Sequence, residues 1–91
     1  MFYDSKFNGY ISEWDTSNVK DMFSMFWRSE FNKDISNWNT SNVEDMTSMF
    51  EFSRFSGYIS KWDTSNVKEI DNVFHHSQLE KKPEFKPILK N

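Results

Sequence analysis

The chain has 91 residues, no cysteine and a net charge of −3, and these properties exclude several classes of protein. A chain of this length forms one small domain, and without cysteine it has neither a disulfide framework nor a thiolate metal site. The acidic balance argues against direct nucleic-acid binding, which needs a basic face to displace counterions, and no apolar run approaches membrane-spanning length.

A period of 24 residues organises almost the whole chain. Trp14, Trp38 and Trp62 stand at this interval, and the run Thr-Ser-Asn-Val recurs at it, beginning at Thr16 and Thr40. Three full copies span residues 1–24, 25–48 and 49–72, and a partial fourth copy reaches residue 79. A fixed period of this length is typical of a solenoid, in which stacked copies bury a continuous core that no single copy can bury alone.

In the middle copy, residues 34–38 are the best candidate for a strand, since they include a β-branched and an aromatic residue. The two apolar residues, Ile35 and Trp38, are three positions apart rather than two, so the strand is expected to be short or bulged. The stretch that follows is rich in Ser, Asn and Thr, and it is expected to turn the chain.

A short helix is predicted from about Val43 to Phe50, and at the equivalent place in the other copies. Apolar residues at 43, 46, 49 and 50 follow helical spacing. Asn42 is a candidate N-cap, and Asp45 lies three residues on, where a capping box has its acidic residue. The alternative for the Asn column is a ladder, in which each side chain bonds the backbone of the next turn.

These elements define the predicted fold class. One strand and one helix per 24 residues match the length class of leucine-rich repeats. We therefore predict an α/β repeat: a short right-handed leucine-rich-repeat-like solenoid with parallel strands along one face. The acidic column Asp21, Asp45 and Glu69 is expected to cap the helices; the alternative is calcium binding, which needs several oxygen ligands for each ion.

The run from Phe31 to Met46, followed by Met49 and Phe50, resembles the BspA-type leucine-rich repeats of bacterial surface proteins. The resemblance covers residues 1 to about 79, and the core Ile-Ser-x-Trp-Asp-Thr-Ser-Asn-Val is a specific signal. It implies a leucine-rich-repeat-like fold, usually within long surface-exposed or lipid-anchored chains, and adhesion or partner binding rather than catalysis. The copies depart from the family in being one residue shorter after the Met-Phe pair.

Columns that repeat form the scaffold, whereas columns that differ between copies are free to carry function. Aromatic and arginine residues, which are enriched in protein interfaces, occur in the variable columns. The predicted contact residues for a protein partner are Tyr3, Tyr10, Phe23, Trp27, Arg28, Phe52 and Tyr58. The alternative is that some of these side chains cover the rim of a thin core.

No arrangement of residues predicts catalysis or cofactor binding. His75 and His76 are adjacent, so their side chains would diverge in a strand, and further zinc ligands at suitable spacing are not evident. The chain has two glycines and no phosphate-binding glycine motif. Neither a cofactor nor a metal is therefore expected, and the chain is predicted not to be an enzyme.

The segment after the repeat, residues 80–91, differs from it in composition and carries both prolines and four lysines. A solenoid needs a polar end cap, so Phe85, Ile88 and Leu89 are expected to fold over the last coil while the lysines stay in water. The alternative is a flexible basic tail that contacts a partner.

The sequence thus predicts a non-catalytic protein-binding repeat module that serves partner recognition or adhesion, as in bacterial surface-type proteins. Two alternatives are a stand-alone phage-encoded inhibitor of a host defence or nucleic-acid enzyme, and a structural spacer. The expected location is the cell surface or the medium if the chain is part of a longer one, and the cytoplasm if Met1 is the natural start. An uncapped first coil would expose Met1, Phe2 and Phe7, which favours end-to-end self-association.

Overall fold

The computed structural model describes residues 5–87 and 89. In this part of the chain the only helices are two short 3-10 helices, Gln78–Lys81 and Pro83–Phe85. The described residues contain no α-helix and no strand, and their β-type pairing is limited to isolated parallel bridges from Asp21 to Asp45 and from Asp45 to Glu69. The predicted leucine-rich-repeat-like solenoid, with one strand and one helix in each copy, is therefore wrong.

Consecutive turns replace the predicted helix over residues 43–50. Ser48 and Phe52 have φ values of 56° and 59°, which lie in the left-handed region. A right-handed helix cannot pass through such residues. The backbone instead closes four-residue turns: the N–H of Met49 donates to the carbonyl of Met46, and that of Glu51 donates to the carbonyl of Ser48. Because these turns also bring every third or fourth side chain inward, their apolar pattern imitates that of a helix.

A turn also replaces the predicted strand over residues 34–38. The carboxylate of Asp34 accepts a hydrogen bond from the N–H of Ser36 at 2.9 Å, and the N–H of Trp38 donates to the carbonyl of Ile35 at 3.1 Å. The three-residue spacing between Ile35 and Trp38 is the spacing of this turn, and both side chains are buried. The short, bulged strand predicted here does not form.

Backbone hydrogen bonds between copies hold the turns in a stack. Along the segment from residue 22 to residue 29, N–H groups that bond a residue about one period further along the chain alternate with N–H groups that close a local turn. Those at even positions donate to the next copy, with Met22 bonding Asp45, Ser24 bonding Thr47 and Phe26 bonding Met49 at 2.8–2.9 Å. Those at odd positions close turns, with Met25 bonding Met22, Trp27 bonding Ser24 and Ser29 bonding Phe26. The buried backbone is thus satisfied without regular secondary structure.

Two buried polar columns add side-chain bonds between copies. The hydroxyl of Thr40, which is 1% exposed, donates to the carbonyl of Asp63 in the next copy at 2.9 Å. The indole N–H of Trp38 donates to the carbonyl of Ile11 in the preceding copy at 3.0 Å, and that of Trp62 donates to Ile35 in the same way. Each repeated side chain therefore bonds a neighbouring copy rather than its own.

The Asn column forms a ladder and does not cap helices. The side-chain amide of Asn42 donates to the carbonyl of Ser17 at 2.7 Å, and that of Asn66 donates to Ser41 at 2.6 Å. Both asparagines are exposed, and each bonds the preceding copy rather than the next one. Helix capping by the acidic column is likewise wrong, because the carboxylate of Asp45 accepts from the N–H of Thr47 within a turn.

Stacked aromatic rings fill the core. Phe26, Phe50 and Phe74 form one column, with ring centroids 5.5 and 5.8 Å apart and planes nearly parallel. Phe7, Phe31 and Phe55 form a second column at 6.3 and 6.1 Å, and Trp38 stacks on Trp62 at 6.4 Å. Burial of each large apolar side chain stabilises the fold by about 1.5–3 kcal/mol, so the ring columns supply much of the driving force for stacking.

The segment after the repeat packs on the last copy. Leu79 is fully buried, while Phe85 and Leu89 pack against the core. The carbonyl of Phe85 accepts a hydrogen bond from the N–H of Ile59 at 2.9 Å. Ile88, which was expected to join this cap, lies outside the described residues.

Candidate functional site

Turns at the three boundaries between consecutive copies bring two variable columns together on one side of the stack. These turns cover residues 23–28, 47–52 and 71–76. Their last residues, Arg28, Phe52 and His76, all have left-handed φ values of 52–59°. Because the columns vary, neighbouring copies place different functional groups next to one another. We call the set Trp27, Arg28, Phe52, His75 and His76 the aromatic cluster.

Ring contacts connect the members of the aromatic cluster. Trp27 meets Phe52 edge to face, with centroids 6.3 Å apart and an interplanar angle of 87°. The guanidinium carbon of Arg28 lies 5.4 Å from the centre of the Trp27 ring. On its other side, Phe52 stacks against His76 at 5.2 Å and meets His75 at 6.0 Å. The cluster therefore runs from the second copy, through Phe52 in the third, to the partial fourth copy.

Glu51 and His75 form a polar boundary beside these rings. The Nδ1 atom of His75 lies 2.9 Å from a carboxylate oxygen of Glu51. This hydrogen bond holds the pKa of Glu51 below its usual range, and hydrogen bonds from Ser48 and Trp27 act in the same direction. The carboxylate thus stays ionised and fixes the His75 ring, and with it the edge of the aromatic cluster.

A shallow cavity of about 340 Å³ opens between the rings and is lined by Trp27, Arg28 and Phe52. The Phe52 side chain is 46% exposed, although it is a large apolar group. The rings of Trp27 and Phe52 meet edge to face and provide apolar area. The guanidinium group of Arg28 beside them provides a charged hydrogen-bond donor. Protein interfaces are enriched in these residue types, and pockets of this kind accept an anchoring side chain from a partner.

The structure separates the other predicted contact residues from this cavity. Tyr10 is 84% exposed, and the amino group of Lys33 lies 4.8 Å from its ring. Tyr58 meets Phe85, at 5.5 Å, in the segment that follows the repeat. Tyr3 lies outside the described residues.

Phe23 belongs to a different surface, at the end of the first copy. It is 57% exposed and, together with Trp14 and Met25, lines a depression of about 180 Å³. Trp14 is 43% exposed there, whereas its equivalents Trp38 and Trp62 are 4% and 5% exposed. The predicted set therefore contains two surfaces: the aromatic cluster and this end face.

The two histidines belong to the cluster, which the sequence reasoning missed. Their ring centroids are 4.0 Å apart, so the side chains do not diverge as they would in a strand. The reason is the turn, in which His76 is left-handed with a φ of 56°. The 24-residue alignment could have placed the histidines in the cluster, because His75 aligns with Trp27, and His76 aligns with Arg28 and Phe52.

Two further findings concern chemistry and membranes. Among the described residues, no three histidine or acidic side chains lie close enough to hold a metal ion. No helix in the same part of the chain has the length and apolar character that crossing a membrane requires.

One protein family is similar to nearly the entire chain. The family described as "Mycoplasma protein of unknown function, DUF285" matches residues 1–85. No curated protein and no solved structure has significant similarity to the chain.

Proposed function

We propose that the chain, which belongs to the DUF285 family of Mycoplasma proteins of unknown function, is a non-catalytic protein-binding repeat module whose contact surface is the aromatic cluster. The observation that carries the proposal is the open cavity between Trp27 and Phe52, with Arg28 beside it. Trp and Arg are among the residues that contribute most binding energy in protein interfaces, and Phe is enriched in such interfaces.

The geometry indicates how a partner would bind. An aromatic or aliphatic side chain of the partner enters the corner between Trp27 and Phe52, where their edge-to-face contact leaves the cavity open. A carboxylate or carbonyl oxygen next to that side chain accepts hydrogen bonds from Arg28, whose planar guanidinium group suits such acceptors. The His75–Glu51 pair holds the far edge of the surface in place.

The setting we favour is partner recognition or adhesion by a surface-type protein. The resemblance of the repeat to the BspA-type repeats of bacterial surface proteins supports this setting. Variable columns on a repeated scaffold also support it, because they allow the contact residues to change while the stacked core stays the same.

A peptide-display experiment tests the proposed function. The immobilised full chain is panned against a library of random peptides, and the enriched peptides are then measured for binding to variants. The double variant Trp27→Ala/Phe52→Ala is expected to weaken binding at least about 30-fold, since truncating two interface anchors costs about 2 kcal/mol or more.

Tyr10→Ala provides the matched control, because Tyr10 is an exposed aromatic residue outside the cavity. This variant is expected to bind the selected peptides as the unchanged chain does, and circular dichroism checks that all variants are folded. If no peptide is enriched, or if the double variant binds the enriched peptides with undiminished affinity, the aromatic cluster is not a protein-binding surface.

A further inference from the structure

Two adjoining columns of the repeat contain the aromatic cluster and Glu51. We call them the Glu51 column and the Phe52 column; their members are Trp27, Glu51 and His75, and Arg28, Phe52 and His76, respectively. All residues of the Phe52 column are exposed, whereas the side chain of Glu51 is only 14% exposed. A partner that approaches this side of the stack therefore meets the Phe52 column before it meets Glu51.

The negative charge of Glu51 is bound within the protein. The imidazole of His75 lies with Nδ1 at 2.9 Å from the carboxylate and donates a hydrogen bond to it. This bond, and further hydrogen bonds from Ser48 and Trp27, hold the pKa of Glu51 below its ordinary value. Because the carboxylate is ionised and binds donors of its own protein, it opposes an acidic partner less than an exposed carboxylate would.

His76 has different surroundings from His75. Its ring is exposed and stacks on the ring of Phe52, with centroids 5.2 Å apart and planes 19° apart. Among the described residues, no carboxylate forms an ion pair with it. The rings of the two histidines are 4.0 Å apart, so any charge they gain is concentrated at one place, directly beside the exposed apolar ring of Phe52.

Acid reverses the sign of the charge on this side of the stack. Histidine is the side chain whose charge ordinarily changes between about pH 8 and pH 5. Besides the histidines, each of the three turns of the cluster contains one ionisable residue, namely Arg28, Glu51 or Asp71. The formal charge of the three turns is therefore −1 when both histidines are neutral and +1 when both are charged.

The neighbouring segments do not cancel this change. Residues 29–32, 53–56 and 77–81 directly follow the three turns and contain equal numbers of acidic and basic residues, namely Glu30, Arg54, Glu80 and Lys81. The chain has two histidines in all, and both are in the cluster. Between about pH 7.5 and pH 5.5, the change in side-chain charge is therefore expected mainly at this one surface.

We propose that the aromatic cluster selects an acidic segment of its partner, and that protonation of His75 and His76 strengthens this binding. The inference rests on the function proposed above and names the chemistry and the regulation of the same surface. An apolar side chain of the partner enters the cavity beside Phe52, and carboxylates on either side of it bind Arg28 and the histidines. A guanidinium group has five N–H donors, so Arg28 accommodates such an acceptor in addition to its contacts within the protein.

Three synthetic heptapeptides test the proposal on the full chain. Each has a central phenylalanine and is otherwise glycine, except that the residues two positions before and after the phenylalanine are both glutamate, both glutamine or both lysine. Alternate side chains of an extended peptide point to the same side, so the flanking groups face the surface together with the phenylalanine. Dissociation constants are measured at about pH 7.5 and pH 5.5 from the shift of the Trp27 indole N–H resonance, since glutamate stays ionised over this range.

At the lower pH the glutamate peptide is expected to bind most tightly and the lysine peptide least tightly. From the higher to the lower pH, the dissociation constant of the glutamate peptide should fall about two- to fivefold, which is the effect of an exposed ion pair. That of the glutamine peptide should stay the same. The double variant His75→Asn/His76→Asn should lose the pH dependence, and asparagine tolerates the left-handed backbone at residue 76.

The results separate this proposal from the function on which it rests. The acidic selection is overturned if the glutamine or lysine peptide binds as tightly as the glutamate peptide at the lower pH. The role of the histidines is overturned if the unchanged chain shows no pH dependence, or if the folded double variant keeps it. In these cases, peptides that still bind through Trp27 and Phe52 leave the protein-binding function standing. If neither these peptides nor any peptide from the library binds, both proposals are wrong.

Discussion

Individual residues adopt left-handed backbone conformations at two repeated positions among the described residues. The first position is occupied by Ser24, Ser48 and Asn72, with φ values of 52–58°. Left-handed backbone costs a residue with a side chain about 1–2 kcal/mol, and glycine avoids this cost. The chain nevertheless has no glycine at these positions, so some stability is lost at each of them.

Ser24→Gly is expected to stabilise the protein. Glycine removes the strain energy of the left-handed backbone, and this gain is larger than the extra conformational entropy that glycine loses on folding. The free energy of unfolding therefore rises by up to about 1 kcal/mol. Ser24→Val should do the opposite and destabilise by at least about 1 kcal/mol, because a β-branched side chain fits left-handed backbone poorly. Urea denaturation measures both free energies of unfolding. Equal stability of the two variants would contradict the left-handed backbone at this residue.

Aspartates at another repeated position stabilise turns through hydrogen bonds. The hydroxyl of Ser17 donates to the carboxylate of Asp15 at 2.6 Å, and the N–H of Ser17 donates to the same oxygen. These bonds lower the pKa of Asp15, and Ser65 lowers the pKa of Asp63 in the same way. The middle copy has Asn39 at this position, and its amide oxygen accepts the equivalent two bonds.

Acid is expected to weaken the fold partly through these two aspartates. A carboxylate with a lower pKa in the folded state contributes stability above its unfolded pKa and loses it as the pH falls through the folded pKa. For Asp15 and Asp63 this stability begins to be lost as the pH falls to the ordinary aspartate pKa of 3.8, and the loss continues at lower pH. Asp15→Asn/Asp63→Asn should therefore lose less free energy of unfolding than the unchanged chain between about pH 5 and pH 2.

The comparison is made by urea denaturation at a series of pH values. Near neutral pH the double variant should be almost as stable as the unchanged chain, because Asn39 shows that an amide supports the same turn. Glu13→Gln/Glu84→Gln is the charge-matched control: it also removes two carboxylates, but neither has a hydrogen bond in the described structure. If the control reduces the acid sensitivity as much as the aspartate variant does, the hydrogen bonds are not the cause.

The structural elements of this protein are turns, and rows of backbone hydrogen bonds connect the turns of one copy to those of the next. The stability of the turns depends on these hydrogen bonds between copies. The sequence identified which residues repeat and which of them are apolar, and Val43, Met46, Met49 and Phe50 are all buried as the pattern indicated. It did not identify the backbone path, because a right-handed helix and consecutive turns both place such residues inward. Left-handed conformations at serine and phenylalanine, as at Ser48, have no recognisable sequence signature.

A threonine of the buried polar column allows a test of the bonds between copies. Thr40→Val keeps the side-chain shape but removes the hydroxyl that bonds the carbonyl of Asp63. Because this bond is partly buried, leaving the carbonyl without its donor should cost about 1–3 kcal/mol. Thr40→Ser keeps the hydroxyl and loses one methyl group, so it should cost only about 1 kcal/mol. Thermal or urea unfolding compares the two, and a more stable valine variant would show that this bond does not hold the copies together.

At the scale of the molecule, stacking decides which surface residues meet. Composition indicated Trp27, Arg28 and Phe52 as contact residues, and the structure places them around one cavity. It also brings in His75 and His76, whose contact with Phe52 spans two copies and depends on the turn at the end of each copy. Since the predicted strand and helix were wrong, the relative positions of these columns could not follow from the sequence.

Stacking also predicts that the copies unfold together and that the middle copy matters most. Ile35 lies in the middle copy and has a neighbouring copy on each side, whereas Ile11 lies in the first copy; both are buried. Truncation of a buried isoleucine to alanine costs about 2–5 kcal/mol, depending on how well the surroundings close the space. Ile35→Ala is expected near the upper end of that range and Ile11→Ala near the lower end, because the end copy can relax toward solvent.

Urea denaturation followed by both tryptophan fluorescence and circular dichroism measures the two variants. The two probes should give coincident transitions in the unchanged chain and in Ile35→Ala, since no copy buries its apolar side alone. A larger cost for Ile11→Ala than for Ile35→Ala would argue against a core continuous through the middle copy. Separate transitions from the two probes in the unchanged chain would mean that the copies fold independently, which the hydrogen bonds between copies and the shared ring columns do not allow.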